Sequence, residues 1–226
     1  MPSHAKLYIA CVALLGLATL ALALSRGTFP DPTRFLVFSF LALLASTLKV
    51  SLPGFTGTIS VSFLFILVGI ADLNFTETLT MASAAALVQS IWKPRRRPKP
   101  VQILFNTTSL AISVGVAYWG SHSILPRADV ESIPVLLALA ASLYFLSNTG
   151  LVSAVVSLAE QKPFRETWRN CNAWTFPYYL VGAAIAGLIS VLSRSLGWKL
   201  PLIVLSMMYL TYIWYRQYLE IPARKN

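Results

Sequence analysis

Eight apolar stretches, each bounded by turn-forming or charged residues, divide this chain of 226 residues. They are Leu7–Leu24, Phe35–Leu48, Thr58–Ala71, Thr76–Trp92, Val101–Gly120, Ile133–Ala159, Thr175–Leu192 and Leu200–Leu219. A bilayer core is about 30 Å thick and takes roughly 20 helical residues to cross. Within it every backbone N–H and C=O must find a partner inside its own segment, so apolar runs of this kind are helices. The second and third are short for a crossing and must borrow flanking residues or lie buried among the others. The pattern predicts an all-α, polytopic membrane helix bundle of about eight transmembrane helices, a single integral-membrane domain over residues 1–226.

Charge sets the orientation. With the run Lys93-Pro94-Arg95-Arg96-Arg97-Pro98-Lys99-Pro100 in the cytoplasm, strict alternation puts both termini there too. That side then holds Lys6, Lys49, Lys93, Arg95, Arg96, Arg97, Lys99, Lys162, Arg165, Arg169, Arg216, Arg224 and Lys225. The other side holds Arg26, Arg34, Arg127, Arg194 and Lys199. This is 13 basic residues against 5, and a Lys/Arg excess of that kind marks the cytoplasmic face. Three acids fall inside and five outside, so the inner face carries the whole net +10 of the chain. The charge is thus a topology signal, and no nucleic-acid partner is expected. Anionic lipid meets the inner face. Lys6 followed by Leu7–Leu24 and Ala21-Leu22-Ala23 also matches a cleavable secretory signal. The other spans keep their orientation under either reading.

Composition removes several chemistries. Cys11 lies in the first span and Cys171 in an inner loop, so no disulfide is expected. His4 and His122 have no acid or nucleophile near them in sequence, and no zinc spacing, phosphate loop or dinucleotide fingerprint occurs. No metal, cofactor or catalytic residue is expected. The spans also lack charges in their middles, with Lys49, Asp72 and Glu160 at span ends. That argues against a proton pump or carboxylate-based carrier, because mid-membrane ionisable groups are the usual mark of such pathways.

Polar groups enter the membrane at two places. The fifth span opens Phe105-Asn106-Thr107-Thr108-Ser109, and the sixth carries Phe145-Leu146-Ser147-Asn148-Thr149-Gly150 near its middle. Lipid satisfies none of an amide's donors and acceptors. Both clusters are therefore expected to face the bundle interior, where they either join helices or contact a small apolar or neutral ligand. Asn74 with Glu77 reads as a helix cap. Pro53-Gly54 and Gly57 break the chain ahead of Thr58-Ile59-Ser60-Val61-Ser62, so Ser60 is a further ligand candidate. A plain inter-helix turn remains the alternative there. Trp174-Thr175-Phe176-Pro177-Tyr178-Tyr179 reads as a headgroup-level aromatic start of the seventh helix. Gly182 with Ala186 and Ala183 with Gly187 form a small-residue packing face.

Three stretches carry a resemblance: Leu52–Phe63, Arg97–Gln102 with Phe105-Asn106, and Phe176–Ala183. From about Arg34 to Tyr218 the chain resembles the membrane-associated sensor (MASE-type) module at the N-terminus of bacterial cyclic-di-GMP enzymes, particularly acidobacterial HD-GYP and GGDEF proteins. The resemblance implies residence in the bacterial cytoplasmic (inner) membrane and a last helix running into a cytoplasmic output domain. Here Glu220 is followed only by Ile221-Pro222-Ala223-Arg224-Lys225-Asn226. The expectation is a sensor or ligand-binding module without catalysis. It would signal through its C-terminal helix, a cytoplasmic partner or a homodimer. Its ligand would sit among Asn106, Thr108, Asn148, Thr149 and Ser60. Lys93, Arg95, Arg96, Arg97 and Lys99 form the exposed cytoplasmic loop. The alternative is a small-molecule transport component resembling the substrate-binding subunit of a vitamin-uptake system.

Overall fold

A computed structural model describes residues 2–51, 58–92, 97–125, 132–171 and 175–196, together with Ile203, Ser206, Met207, Tyr209, Leu210 and Ile213. Eight helices and one hairpin lie among the described residues. They are α1 (Ser3–Arg26), α2 (Pro32–Thr47), the strands β1 (Lys49–Ser51) and β2 (Thr58–Ser60), α3 (Ser62–Asp72), α4 (Phe75–Ile91), α5 (Pro100–Ile124), α6 (Ile133–Glu160), α7 (Phe164–Cys171) and α8 (Phe176–Leu196). The first seven expected spans correspond to α1 to α6 and α8. The eighth, Leu200–Leu219, lies largely outside the described residues, although the six isolated positions within it are helical.

Four helices, α1, α5, α6 and α8, are long and apolar enough to cross a membrane. At 1.5 Å per residue α6 is about 42 Å long, whereas α3 reaches only about 16 Å. The short helix is the hub, packed by α2, α4, α6 and α8. Every residue from Leu64 to Ile70 is buried. A helix apolar on all sides suits that position. Lipid-side surface falls to the periphery. Helix α1 buries a narrow stripe of Ala5, Ile9, Val12, Ala13, Gly16 and Ala23, while Leu7, Leu14 and Leu15 stay more than 60 % exposed. An exposed leucine face of that extent is what lipid, rather than water, accommodates.

The link between α2 and α3 corrects the sequence reading. Thr58–Ser60 is a strand rather than the start of a helix, and it pairs antiparallel with Lys49–Ser51 in the register Lys49 to Ser60, Val50 to Ile59 and Ser51 to Thr58. The alternation Thr-Ile-Ser-Val is the period-two, β-branched pattern that strands favour over helices. Val61 then donates its N–H to the Leu48 carbonyl, joining the hairpin to the end of α2. Residues 52–57, which hold Pro53, Gly54 and Gly57, lie outside the described residues.

Local chemistry explains the helix ends. Asp31 caps α2 by accepting from the Arg34 N–H at 3.0 Å, with Pro32 in the first turn. The expected cap of α4 is present in full: Asn74 Oδ1 accepts from Glu77 N–H, and Glu77 Oε2 accepts from Asn74 N–H. Helix α6 ends at Gln161, whose φ of 55° is left-handed, a closing conformation more usual for glycine or asparagine. Lys162 N–H then donates back to Ser157 O, and the chain reverses into α7. This short helix was not anticipated, because eight polar and aromatic residues in a loop carry no span-length signal.

Candidate functional site

The middle of α6 presents Tyr144, Phe145, Asn148 and Thr149, three to four residues apart and so on one side of the helix. Phe145 stands fifteen residues before Glu160, about 22 Å along the axis. Yet the start of α8 meets it there. The Phe145 ring lies 5.0 Å from Phe176 and 5.2 Å from Tyr179. It also lies 6.4 Å from Trp168 of α7. Tyr179 in turn lies 5.3 Å from Phe63, in the first turn of α3. Helices α3 and α8 therefore both begin beside the centre of α6 rather than at its end. The chain regains that depth through the hairpin in one case and through α7 in the other.

Polar contacts hold this joint. Thr149 Oγ1 donates to the Phe145 carbonyl at 2.6 Å and accepts from Trp168 Nε1–H at 3.1 Å. The Asn148 side chain lies beside the Tyr179 hydroxyl. Gly182 faces the Phe63 ring so closely that a Cβ would collide with it. Ala183 and Ala186 are buried, and Gly187 approaches Leu137 of α6. The small-residue face of α8 thus packs inside the protein, against α3 and α6.

The two polar clusters do not come together. Asn148 and Thr149 belong to the joint. Asn106 is exposed on α5, contrary to the inward orientation expected of it; about two turns from the Lys99 end, an outward amide lies near the bundle's edge. Thr108 is buried, but against α1: its hydroxyl bonds the Leu104 and Phe105 carbonyls of its own helix, and its backbone abuts Gly16. Ser60 ends β2, two residues before α3. Lys93, Arg95 and Arg96 lie outside the described residues, whereas Arg97 and Lys99 are exposed.

The aromatic partners were missed as site residues. Phe176 and Tyr179 read from the sequence as part of a headgroup belt, and the structure seats both rings against Phe145 of α6. A Pro-flanked aromatic cluster reads alike whether or not it packs on another helix, so the sequence did not show this contact.

A second polar assembly lies where α2 and α4 begin and α1 and α3 end. Arg34 of α2 pairs with Asp72 of α3 at 3.3 Å, with the Asp72 side chain 1 % exposed. The guanidinium also lies 5.7 Å from the Phe38 ring centre. Asn74 Nδ2 donates to Thr28 O, and Thr76 Oγ1 to Ala23 O, tying α4 to the end of α1. His122, expected in a loop, lies in the last turn of α5 and stacks on Tyr118 at 4.3 Å.

These residues bind helices to one another and hold an amide among aromatic rings. A family model matches residues 8–219, nearly the whole chain and all eight helices from Tyr8 onward. The chain belongs to the MASE9 family. MASE9 is a membrane-associated sensor family, in agreement with the resemblance read from the sequence. Searches of curated proteins and of solved structures return no match. Within the MASE9 match fall the hairpin, the α6 joint and the expected last span.

Proposed function

We propose that this MASE9 protein is a multi-pass sensor of the bacterial inner membrane, without catalysis of its own, that reads an intramembrane event at the α6 joint. The supporting observation is the seating of the α8 start, Phe176 and Tyr179, against Phe145 of α6, with Phe63 of the α3 start packed on Tyr179. A neutral or aromatic small molecule that competes for the Asn148 amide would shift α8 relative to α6. The segment after α8, which the charge pattern returns to the cytoplasm, would carry that shift to an output domain, a partner or a second copy. A ligand moves such an equilibrium only through its different affinities for the two states. In this reading the Lys93–Lys99 loop faces the cytoplasm, as do both termini.

The test is untargeted mass spectrometry of protein purified in mild detergent. Wild type is compared with Asn148→Leu and with Asn106→Leu, whose amide is exposed. A molecule retained by wild type and by the Asn106 variant, but lost from a folded Asn148 variant, supports the reading. Retention of the same molecules by all three sinks it. The interrupted entries to α3 and α8 also favour a second reading, a transport component, because transporters build their midplane sites from broken helices. Uptake of the retained molecule into cells, dependent on a co-expressed ATPase, would select that reading instead.

A further inference from the structure

Helices α1, α4 and α5 leave an open groove of about 760 Å³ between them, well within the 300–1,000 Å³ range of small-molecule sites. Its walls include Thr19, Leu22 and Arg26 of α1, and Ile112, Gly115 and Trp119 of α5. Gly115 keeps the floor low. A Cβ there would meet only Thr19 Cγ2, at 3.8 Å.

The threonine hydroxyls of the walls are already engaged. Thr19 Oγ1 donates to Leu15 O at 2.8 Å, and Thr76 Oγ1 to Ala23 O at 3.0 Å. What faces the groove is therefore mostly methyl and hydrocarbon, and its polar exceptions, Arg26 and the Trp119 indole N–H, stand at one end. Arg26, the last residue of α1, stands exposed in the wall and makes no salt bridge among the described residues. Trp119, 61 % exposed, flanks the same end. An exposed Trp and an Arg at one end of apolar helices mark the membrane–water boundary. From Thr19 to Arg26 the groove follows α1 for about 10 Å from the hydrocarbon towards that boundary. An occupant complementary to both parts needs an apolar chain and an anionic head. A soluble anion would leave the hydrocarbon walls unmatched, and a zwitterionic lipid would bring its phosphate to the guanidinium together with a repelling cation.

We infer that this groove is a binding site for one anionic glycerophospholipid, with an acyl chain along Leu22, Ile112 and Gly115 and the phosphate at Arg26. It lies at the Asp72 end of the bundle, away from the basic Lys93–Lys99 loop. The site is independent of the α6 joint and of the sensing role proposed for it.

Native mass spectrometry tests the inference on the full chain in a neutral detergent, with phosphatidylglycerol and phosphatidylcholine added in equal amounts. Wild type should retain phosphatidylglycerol in preference, and Arg26→Gln should reduce that preference by about five-fold, the effect of one basic residue at an anionic surface. Gly115→Leu, which fills the floor, should lower retention of both lipids. Basic residues elsewhere also hold anionic lipid, so the difference between wild type and Arg26→Gln is the readout. Arg26 is exposed, so its replacement is expected to leave the fold intact, which keeps the test valid should Gly115→Leu fail to fold. Equal retention of the two lipids by wild type, or an unchanged preference in Arg26→Gln, overturns the inference.

Discussion

Replacing Gly16 by alanine should loosen α1 from α5, and the structure sets the size of the effect. A Cβ on Gly16 would stand 2.5 Å from Thr108 Cβ, 2.6 Å from Thr108 O and 2.8 Å from Thr108 Cα. Two of these three atoms are backbone, so no rotamer change at Thr108 relieves the overlap and truncating its side chain does not rescue it. Ordinary contact begins near 3.4 Å, so the oxygen must retreat from 2.6 Å by 0.8 Å. A gap of that width along a helix seam forfeits roughly a quarter to a half of each pair's dispersion attraction. Overpacking of this kind costs about 1–3 kcal/mol. Alanine also recovers up to about 1 kcal/mol of helix propensity over glycine, which would mask part of the loss. Gly150 supplies the matched control, because a Cβ there meets nothing within 4 Å. The propensity gain cancels between the two variants. Gly16→Ala should therefore be about 1–3 kcal/mol less stable than Gly150→Ala, measured by SDS titration in mixed micelles with far-ultraviolet circular dichroism. Equal stability of the two would refute the close α1–α5 approach and the reading of Thr108 as a packing residue.

Three further outcomes follow from named contacts. Asn74→Ala removes the α4 cap and the bond to Thr28 O, and should cost about 1–2 kcal/mol in the same titration; a loss below about 0.5 kcal/mol contradicts a working cap. Arg34→Met strips the guanidinium from an Asp72 carboxylate whose side chain is 1 % exposed. The arginine is itself 39 % exposed, so the cost should be about 2–3 kcal/mol, below the roughly 3–5 kcal/mol of a fully buried pair. Adding Asp72→Asn should recover part of it, and no recovery would mean that the charge pairing is not the cause. Thr149→Val and Trp168→Phe each delete the bond between α6 and α7. Their double-mutant cycle should give a coupling near 0.6 kcal/mol, with faster hydrogen exchange over residues 164–171 in both variants; additive effects would show that the bond does not hold α7.

Much of the bundle was readable in the chain because lipid imposes a coarse rule. Long runs such as Val101–Gly120 and Ile133–Ala159 can only be helices in hydrocarbon, and α5 and α6 coincide with them to within a few residues. The Asn74–Glu77 cap was legible for a similar reason: its hydrogen bonds close within three residues, so spacing alone specifies them. Thr58–Ser60 was harder. Its alternation favours a strand, but a strand exists only with a partner, and Lys49–Ser51 becomes that partner through the return of the chain. The site was half legible. Asn148 and Thr149 drew attention because an amide in hydrocarbon needs a bonding partner. Which partner they meet depends on α7 carrying the chain back along α6, a path set by the Gln161 reversal and by packing on Trp168. Asn106 has the same side-chain chemistry as Asn148 and faces outward, since helix rotation and depth follow from neighbours far away in sequence. What the sequence alone determined was the membrane as solvent, the helices long enough to cross it and the caps that end them. Only the tertiary structure decided which helix starts converge, which small residues bring backbones together and where a groove stays open, because those depend on contacts between segments tens of residues apart.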